Sequence, residues 1–328
     1  MSEAASSIRP GTFQYLVPEA EPSLFRNGKV LTRRDSDGSD GGREGVVLAP
    51  TEVAVEDARA LGGTARRSVA RHGFELLDAP LSSHSLDFFD HNAIVSSYYD
   101  ECAQIVQQAS GAAAVFAFDH NVRSATGKSD KVRIAGGQQV QGPARVVHGD
   151  YTLTSAPQRL RDLAQPPSKN DTLRSTLGAN QSLLEPDMVD ALLASNGRFA
   201  IINVWRNILA EPVQTHPLAL CDAMTVSPQD LVVFEIHYHD RIGENYFAKY
   251  NAEHAWYFYP EMTRDEVLLI KQWDCAGAFA RSNGVNADDS QTGGPCTFSF
   301  HSAVEDATAP IDAPSRWSIE VRCVVIYA

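Results

Sequence analysis

Over the first hundred residues the apolar positions recur at helical intervals. Val53, Ala58, Leu61, Ala65 and Val69 give one inward face over residues 51–71, interrupted by Gly62 and Gly63. A second helical period runs over 85–108. There Leu86, Phe89, Ile94, Tyr98, Cys102, Ile105 and Val106 recur on one side, and Gly111 supplies the stop. Beyond Gly111 the pattern changes. Short runs rich in β-branched and aromatic residues at 113–118, 144–152, 199–205, 231–238, 245–250, 255–259, 297–301 and 317–327 predict strands. In the last of these, Ile319, Val321 and Cys323 alternate with Ser318, Glu320 and Arg322, the period of a strand. Helices are predicted at 185–195 and 262–270, the second opened by a capping-box pair, Thr263 and Glu266. Polar, glycine-bearing stretches at 34–44 and 276–295 predict loops.

Many short strands with turns between them predict a mainly β fold with flanking helices. The expected core is a double-stranded β-helix, the cupin-like jelly roll. Residues 1–110 are expected to form an N-terminal extension and a helical layer on that core. Residues 111–328 are expected to be the jelly-roll catalytic domain, the two parts making one structural unit.

Composition narrows the possible partners. Of 328 residues 43% are apolar, enough to bury a core. The net charge is −13, from 28 basic and 41 acidic residues, so the surface repels phosphate backbones and anionic lipid. The only adjacent basic pairs, Arg33 with Arg34 and Arg66 with Arg67, make no patch, and neither nucleic acid nor membrane is an expected partner. The five cysteines include no C-x-x-C pair, which suits free thiols in a reducing cytosol and argues against a zinc ribbon. No secretory signal opens the chain, and apolar runs such as 111–118 are far shorter than the roughly 20 residues a spanning helix needs. A cytoplasmic protein is expected. Nucleophile-elbow, P-loop and dinucleotide-binding glycine motifs are absent.

The candidate chemistry lies in His148-Gly149-Asp150. On a strand, residues i and i+2 point to one side, so His-x-Asp is the shortest unit that sets an imidazole and a carboxylate on one metal. One such match is expected by chance in a chain of this composition. It gains weight from His301, in the predicted strand 297–301. Two histidines and a carboxylate hold Fe(II) on one face and leave positions open for O2 and an oxidisable co-substrate. Arg316 and Ser318 follow His301 and share a strand face. A guanidinium and a hydroxyl there suit the distal carboxylate of 2-oxoglutarate. A competing set is His237, His239 and Glu244, a fragment of a cupin metal motif that lacks its usual preceding glycine. A non-catalytic jelly-roll binding protein is the third reading.

The residues also carry a likeness. The matching segments begin with 115–123 (Val-Phe-Ala-Phe-Asp-His-Asn-Val-Arg), 147–152 (Val-His-Gly-Asp-Tyr-Thr), 203–206 (Asn-Val-Trp-Arg) and 217–222 (Pro-Leu-Ala-Leu-Cys-Asp). They continue through 243–246, 257–262 and 269–271 to His301-Ser302-Ala303, Arg316 and 318–322. In this order, from about residue 110 to the end, the chain resembles the CmcJ/NvfI/AsaB-like family of hydroxylase/desaturase proteins of secondary metabolism. That resemblance implies an Fe(II)/2-oxoglutarate-dependent oxygenase with a jelly-roll core. It implies His148, Asp150 and His301 as iron ligands and Arg316 with Ser318 as the 2-oxoglutarate clamp, with Arg322 in reserve. The implied reaction turns 2-oxoglutarate and O2 into succinate and CO2 while a small molecule is hydroxylated, desaturated or cyclised. The family usually has Pro after Trp-Arg; here it is Asn207, which alters the loop beside the pocket. Arg206, Trp205, Arg123 and Lys271 are the candidate substrate-binding residues, and several cations there would suit an acidic or amino-acid-like substrate.

Overall fold

A computed structural model describes residues 8–34, 40–168, 171–178, 180–239, 241–289, 293–306 and 309–328. Parts of the predicted loops, 35–39 and 290–292, lie outside the described residues. Two sheets face each other. Among the described residues the larger has eleven strands, in the order Glu305–Asp306, Ile8–Leu16, Leu48–Asp57, Trp256–Phe258, Leu218–Cys221, His301–Ala303, His148–Gly149, Ile242–Ala248, Leu231–His237, Leu31–Arg34 and Asp40–Glu44. The smaller runs Phe74–Asp78, Glu266–Asp274, Phe199–Asn207, Trp317–Ile326 and Ala114–Ser124. Sheet on sheet with helices outside is the jelly-roll architecture that the strand pattern predicts.

The core fills the gap between the sheets. Phe298 stands at its centre, with its ring near those of Tyr246, Trp273, Phe279 and Phe300 at centroid distances of 5.5–6.4 Å. The Tyr99–Ser110 helix covers the outer side of the smaller sheet and buries Cys102 and Val106 there. Gly111 ends it in the left-handed region, at φ 65, where a residue without Cβ is least strained. The helical stretch begins later than the periodicity predicts. Residues 85–90 form turns, the Asp90 carboxylate accepts from the Asn92 N–H at 2.9 Å, and one wide turn, Ile94–Tyr98, precedes the main helix.

Two predicted helices are strands. Residues 51–71 begin as the strand Leu48–Asp57, paired antiparallel with Ile8–Leu16 from Ile8↔Glu56 to Leu16↔Leu48. Thr51, Val53 and Val55 alternate with Glu52, Ala54 and Glu56, and this two-residue period with β-branched side chains outweighs the helical face. Only short 3-10 turns, Ala58–Ala60 and Gly63–Ala65, follow it. Residues 262–270 lead into the strand Glu266–Asp274. The Thr263 N–H and hydroxyl do donate to the Glu266 carboxylate, at 2.8 and 3.2 Å, but they close a turn. Val267 to Ile270 is an unbroken apolar run buried on both faces, the signature of a central strand.

Elsewhere the predicted strands stand with altered ends. In 144–152 the strand proper is His148–Gly149, with a single bridge from Val146 to Gln14 before it, and the strand at 297–301 starts at His301. The helix predicted at 185–195 spans Pro186–Leu193, and a helix not predicted, Ser155–Leu163, follows Asp150. Before residue 111 the described chain supplies five strands, four to the larger sheet and Phe74–Asp78 to the smaller. No described helix is long and apolar enough to cross a membrane.

Candidate metal centre

Two neighbouring strands of the larger sheet, and the bend that follows one of them, bring the predicted ligands together. His148 is paired with His301 on one side and Phe247 on the other. Gly149 follows because Phe298 fills the space a side chain would need: a Cβ there would meet the ring at 3.0 and 3.2 Å. Asp150 then turns its carboxylate back to the imidazoles. Its Oδ1 lies 3.6 Å from His148 Nε2 and 4.0 Å from His301 Nε2. One ligand atom from each of the three lies within 4.8 Å of the others. Bonds of about 2.1 Å at right angles set ligand atoms about 3 Å apart, so closure on a divalent ion draws the three atoms, now within 4.8 Å of one another, closer together.

The surroundings prepare each ligand. The Val146 carbonyl lies 2.7 Å from His148 Nδ1, so that nitrogen donates and Nε2 keeps its lone pair for a metal. Burial, with His301 alongside, pushes the His148 imidazolium down to about 4, and burial lowers His301 as well. Both rings are therefore neutral near pH 7. His301 Nδ1 makes no hydrogen bond of good geometry, although the Ser299 carbonyl stands close enough to favour its proton. Burial alone would raise Asp150, but Arg322 and the two imidazoles hold it well below the ordinary carboxylate range. The centre offers one anion and two neutral nitrogens, the donor set of a first-row divalent ion.

Arg316 and Arg322 differ in what they hold. Arg322 Nη1 is 2.9 Å from Asp119, Nη2 is 3.2 Å from Glu320, and Nε is 3.4 Å from Asp150 Oδ2. Its charge is matched by these carboxylates. Arg316 is 3% exposed; its Nη1 donates to the His216 carbonyl, and its guanidinium carbon lies 5.5 Å from the Trp205 ring centroid. Its Nε is buried without a partner, as is the Ser318 hydroxyl. Burial and the nearby Arg123 cation lower the Arg316 guanidinium to about 9. A buried cation beside a buried unpaired hydroxyl is a seat for an anion. His216, whose carbonyl steers Arg316, sits at φ 47, a strained conformation for a non-glycine residue.

The structure does not bring Arg206 and Lys271 into this group. Arg206 Nε donates to Tyr98 at 2.8 Å, Nη1 to the Ala79 and Arg264 carbonyls, and Nη2 to Glu101. Lys271 Nζ is held by Asp274 and by the Ala70 and Cys296 carbonyls. Both are tied to internal partners, and strand alternation turns Arg206 away from Trp205 and toward the covering helix. Trp205 and Arg123 do lie beside Arg316 and Ser318: Trp205 lies under Arg316, and Arg123 is registered opposite Ser318 and donates to the Gly142 carbonyl at 3.1 Å. Asn207, where the family usually has Pro, uses its amide to tie the loop, donating to the Glu211 carbonyl at 2.7 Å and accepting from the Leu209 N–H at 3.2 Å.

The cupin set is not assembled. His237 Nε2 lies 2.9 Å from Glu235, Glu244 pairs with Arg26 at 2.9 Å and accepts the Thr152 hydroxyl, and His239 is exposed. Reading the sequence missed Asn203 and Gln272, which touch Asp150, and Asp119 and Glu320, which hold Arg322. Asn203 shares a strand face with Trp205 and was accessible to that logic. Gln272 lies in a register shift between Lys271 and Trp273, where alternation gives no guide.

A family described as an oxidoreductase/YMDC permease-like domain matches residues 13–326. An uncharacterised protein from the dcmA 3′ region of Methylophilus leisingeri is 42% identical over 194 residues, 59% of this chain and 88% of that protein. The alpha-ketoglutarate-dependent dioxygenase tstK of Talaromyces stipitatus is 30% identical over 259 residues, 78% of each chain. Among solved structures, the iron and alpha-ketoglutarate-dependent endoperoxidase NvfI superposes with a TM-score of 0.72 at 22% identity, over 98% of this chain and 99% of that one. That last likeness concerns the fold.

Proposed function

Because this chain belongs to the oxidoreductase family of the Fe(II)/2-oxoglutarate-dependent hydroxylase/desaturase proteins, we propose that His148, Asp150 and His301 hold its iron and that Arg316 with Ser318 holds 2-oxoglutarate. The protein is an Fe(II)/2-oxoglutarate-dependent dioxygenase that hydroxylates, desaturates or oxidatively cyclises a small molecule of secondary metabolism, with O2 as co-substrate. When bound, the iron and 2-oxoglutarate together supply the oxidising power, and 2-oxoglutarate leaves as succinate and CO2.

The observation that carries this reading is the pairing of a preorganised His-Asp-His face with a buried cation that lacks an anion. The protein's own groups then have simple tasks. His148 and His301 present neutral nitrogens, and Asp150 gives one oxygen. Arg316 and Ser318 fix the distal carboxylate of the co-substrate, while Arg322 stays with Asp119, Asp150 and Glu320. Trp205 offers an apolar wall and Arg123 a polar contact for the substrate. With Arg206 and Lys271 occupied internally, an acidic substrate no longer has a surplus of cations to recommend it.

Residues 1–110 and 111–328 act as one structural unit in this reading, since strands from both lie in each sheet. The cytoplasm is the proposed compartment, in keeping with five free cysteines, four of them buried. Nucleic acid and membrane are not among the proposed partners, given the charge of −13.

Anaerobic titration with Fe(II) and 2-oxoglutarate tests the assignment. A weak visible charge-transfer band is expected in the intact protein and in His237→Ala, and is expected to vanish in His148→Ala. A band that survives His148→Ala would move the metal elsewhere, and no band in the intact protein would favour a non-catalytic binding protein.

A further inference from the structure

Asp150 has two oxygens with different surroundings. Oδ1 faces His148 and His301, whereas Oδ2 accepts the Asn203 Nδ2–H at 3.2 Å and lies 3.4 Å from Arg322 Nε. Asn203 and Arg322 are registered neighbours on adjacent strands of the smaller sheet, so both reach Asp150 from the same side. The Asp150 N–H is held in turn by Gln272 Oε1 at 3.3 Å. Asn203 and Gln272 are completely buried. Among the described residues each side chain makes its one hydrogen bond to Asp150, and Asn203 Oδ1 and Gln272 Nε2 have no partner. Burying a half-satisfied amide is unfavourable, so neither is explained by stability of the fold.

We propose that Asn203, with Arg322, is a positioning residue that occupies the second oxygen of Asp150 and so keeps this carboxylate a one-oxygen ligand. The inference rests on the metal-centre reading above and goes past it. A carboxylate free to turn could give both oxygens to the ion and close a position that the co-substrate or O2 requires. Gln272 holds the main chain at the same point, which limits rotation of the whole residue. Groups around a metal that orient its ligands commonly set affinity as strongly as the ligands' own geometry.

The test uses the full-length protein and Co(II), whose visible bands report its coordination. Asn203→Leu keeps the volume and removes the donor; Asn203→Ser is the milder variant, for use if the first does not fold. The expected result is a metal-free melting temperature close to that of the parent, a Co(II) affinity lower by roughly tenfold or more, and altered visible bands. A folded variant with parental affinity and bands overturns the proposal, and so does failure of both variants to fold, which would make Asn203 structural. If the parent binds no Co(II), or binding survives His148→Ala, the metal-centre reading falls and this inference with it. Binding that needs His148 but ignores Asn203 sinks this inference alone.

Discussion

The Arg316 guanidinium carbon lies 5.5 Å from the centroid of the Trp205 indole, and no carboxylate side chain of the described protein reaches hydrogen-bonding distance of that cation. Trp205 covers one side of a charge that has lost most of its water, and one carbonyl, that of His216, holds an edge. A dianionic co-substrate would supply the missing charge. Arg316→Met should weaken 2-oxoglutarate by roughly 30-fold or more, the usual effect of losing one partner of a buried charge pair. Co(II) affinity should stay within about twofold. In a melting assay 2-oxoglutarate should stabilise the Co(II)-loaded parent but not the variant. Equal stabilisation of both would shift the clamp to another residue, with Arg322 the first alternative.

Much of the centre is legible in the chain because short spacings on or beside strands mark its residues. The i, i+2 spacing singles out His148 and Asp150, although the strand ends at Gly149 and Asp150 lies in the bend after it, and the same spacing singles out Arg316, just before the last strand, with Ser318. His301 could be placed on a strand but not beside His148, since that contact depends on sheet order, which short-range pattern does not encode. The two misread helices fail for opposite reasons. In 51–71 a few apolar residues fell by accident at helical spacing on a strand of alternating Glu and β-branched residues. In 262–270 a real local signal, the Thr263 and Glu266 bonds, was overruled by four apolar residues buried on both faces. The internal partners of Arg206, namely Tyr98, Glu101 and two carbonyls, are not legible in the chain because they come from segments that only the fold brings near.

Arg206 leads to a prediction about stability without a change in binding. Its guanidinium is fully buried and its donors go to Tyr98, Ala79, Arg264 and Glu101. Arg206→Ala leaves the buried Tyr98 hydroxyl and three half-buried acceptors unpaired, so unfolding in urea should show a loss of about 3 kcal/mol. The 2-oxoglutarate affinity of the folded fraction should match the parent. A folded, stable Arg206→Ala protein with specifically weakened co-substrate or substrate binding would restore Arg206 to the pocket.

His120 predicts a pH response of the metal-free fold. It is buried, its Nδ1 lies 2.8 Å from the Tyr99 hydroxyl, and its ring stands 5.4 Å from that of His91. Burial pushes its imidazolium down from 6.5 to about 4; His91 and Arg322 add to this, and Asp119 opposes them. The folded state therefore refuses a proton that the unfolded chain accepts below pH 6.5. The stability it contributes is complete above 6.5 and is lost as pH falls toward 4, on the order of 2 kcal/mol by pH 4.5. His148 and His301 act in the same direction, so the measurement is a difference. The slope of unfolding free energy between pH 6.5 and 4.5 should be shallower in His120→Gln than in the parent. Identical slopes would mean that His120 titrates normally in the fold.

Gly149 gives the sharpest link between packing and chemistry. It lies between two proposed ligands, and a Cβ there would meet two atoms of the Phe298 ring at 3.0 and 3.2 Å. Relief requires either Phe298 or the main chain to move. Phe298 cannot move easily: it is 4% exposed and is surrounded by Tyr246, Trp273, Phe279 and Phe300, with its plane within 4° of that of Trp273. The main chain at 149 is the softer side, because pairing there ends after two residues and Asp150 is held chiefly through its side chain and one N–H. In Gly149→Ala the strain should therefore displace His148 and Asp150 relative to each other. Overpacking of this kind costs about 1–3 kcal/mol of stability. The Co(II) affinity should also fall, by roughly tenfold or more, since ligand atoms now within 4.8 Å of one another would be set further apart. Pairing the variant with Phe298→Leu separates the two effects. If the ring is the obstacle, the double variant should recover most of the metal affinity while losing stability of its own through the cavity left behind. A Gly149→Ala protein with parental metal affinity would show that the strand can absorb the methyl group without disturbing either ligand.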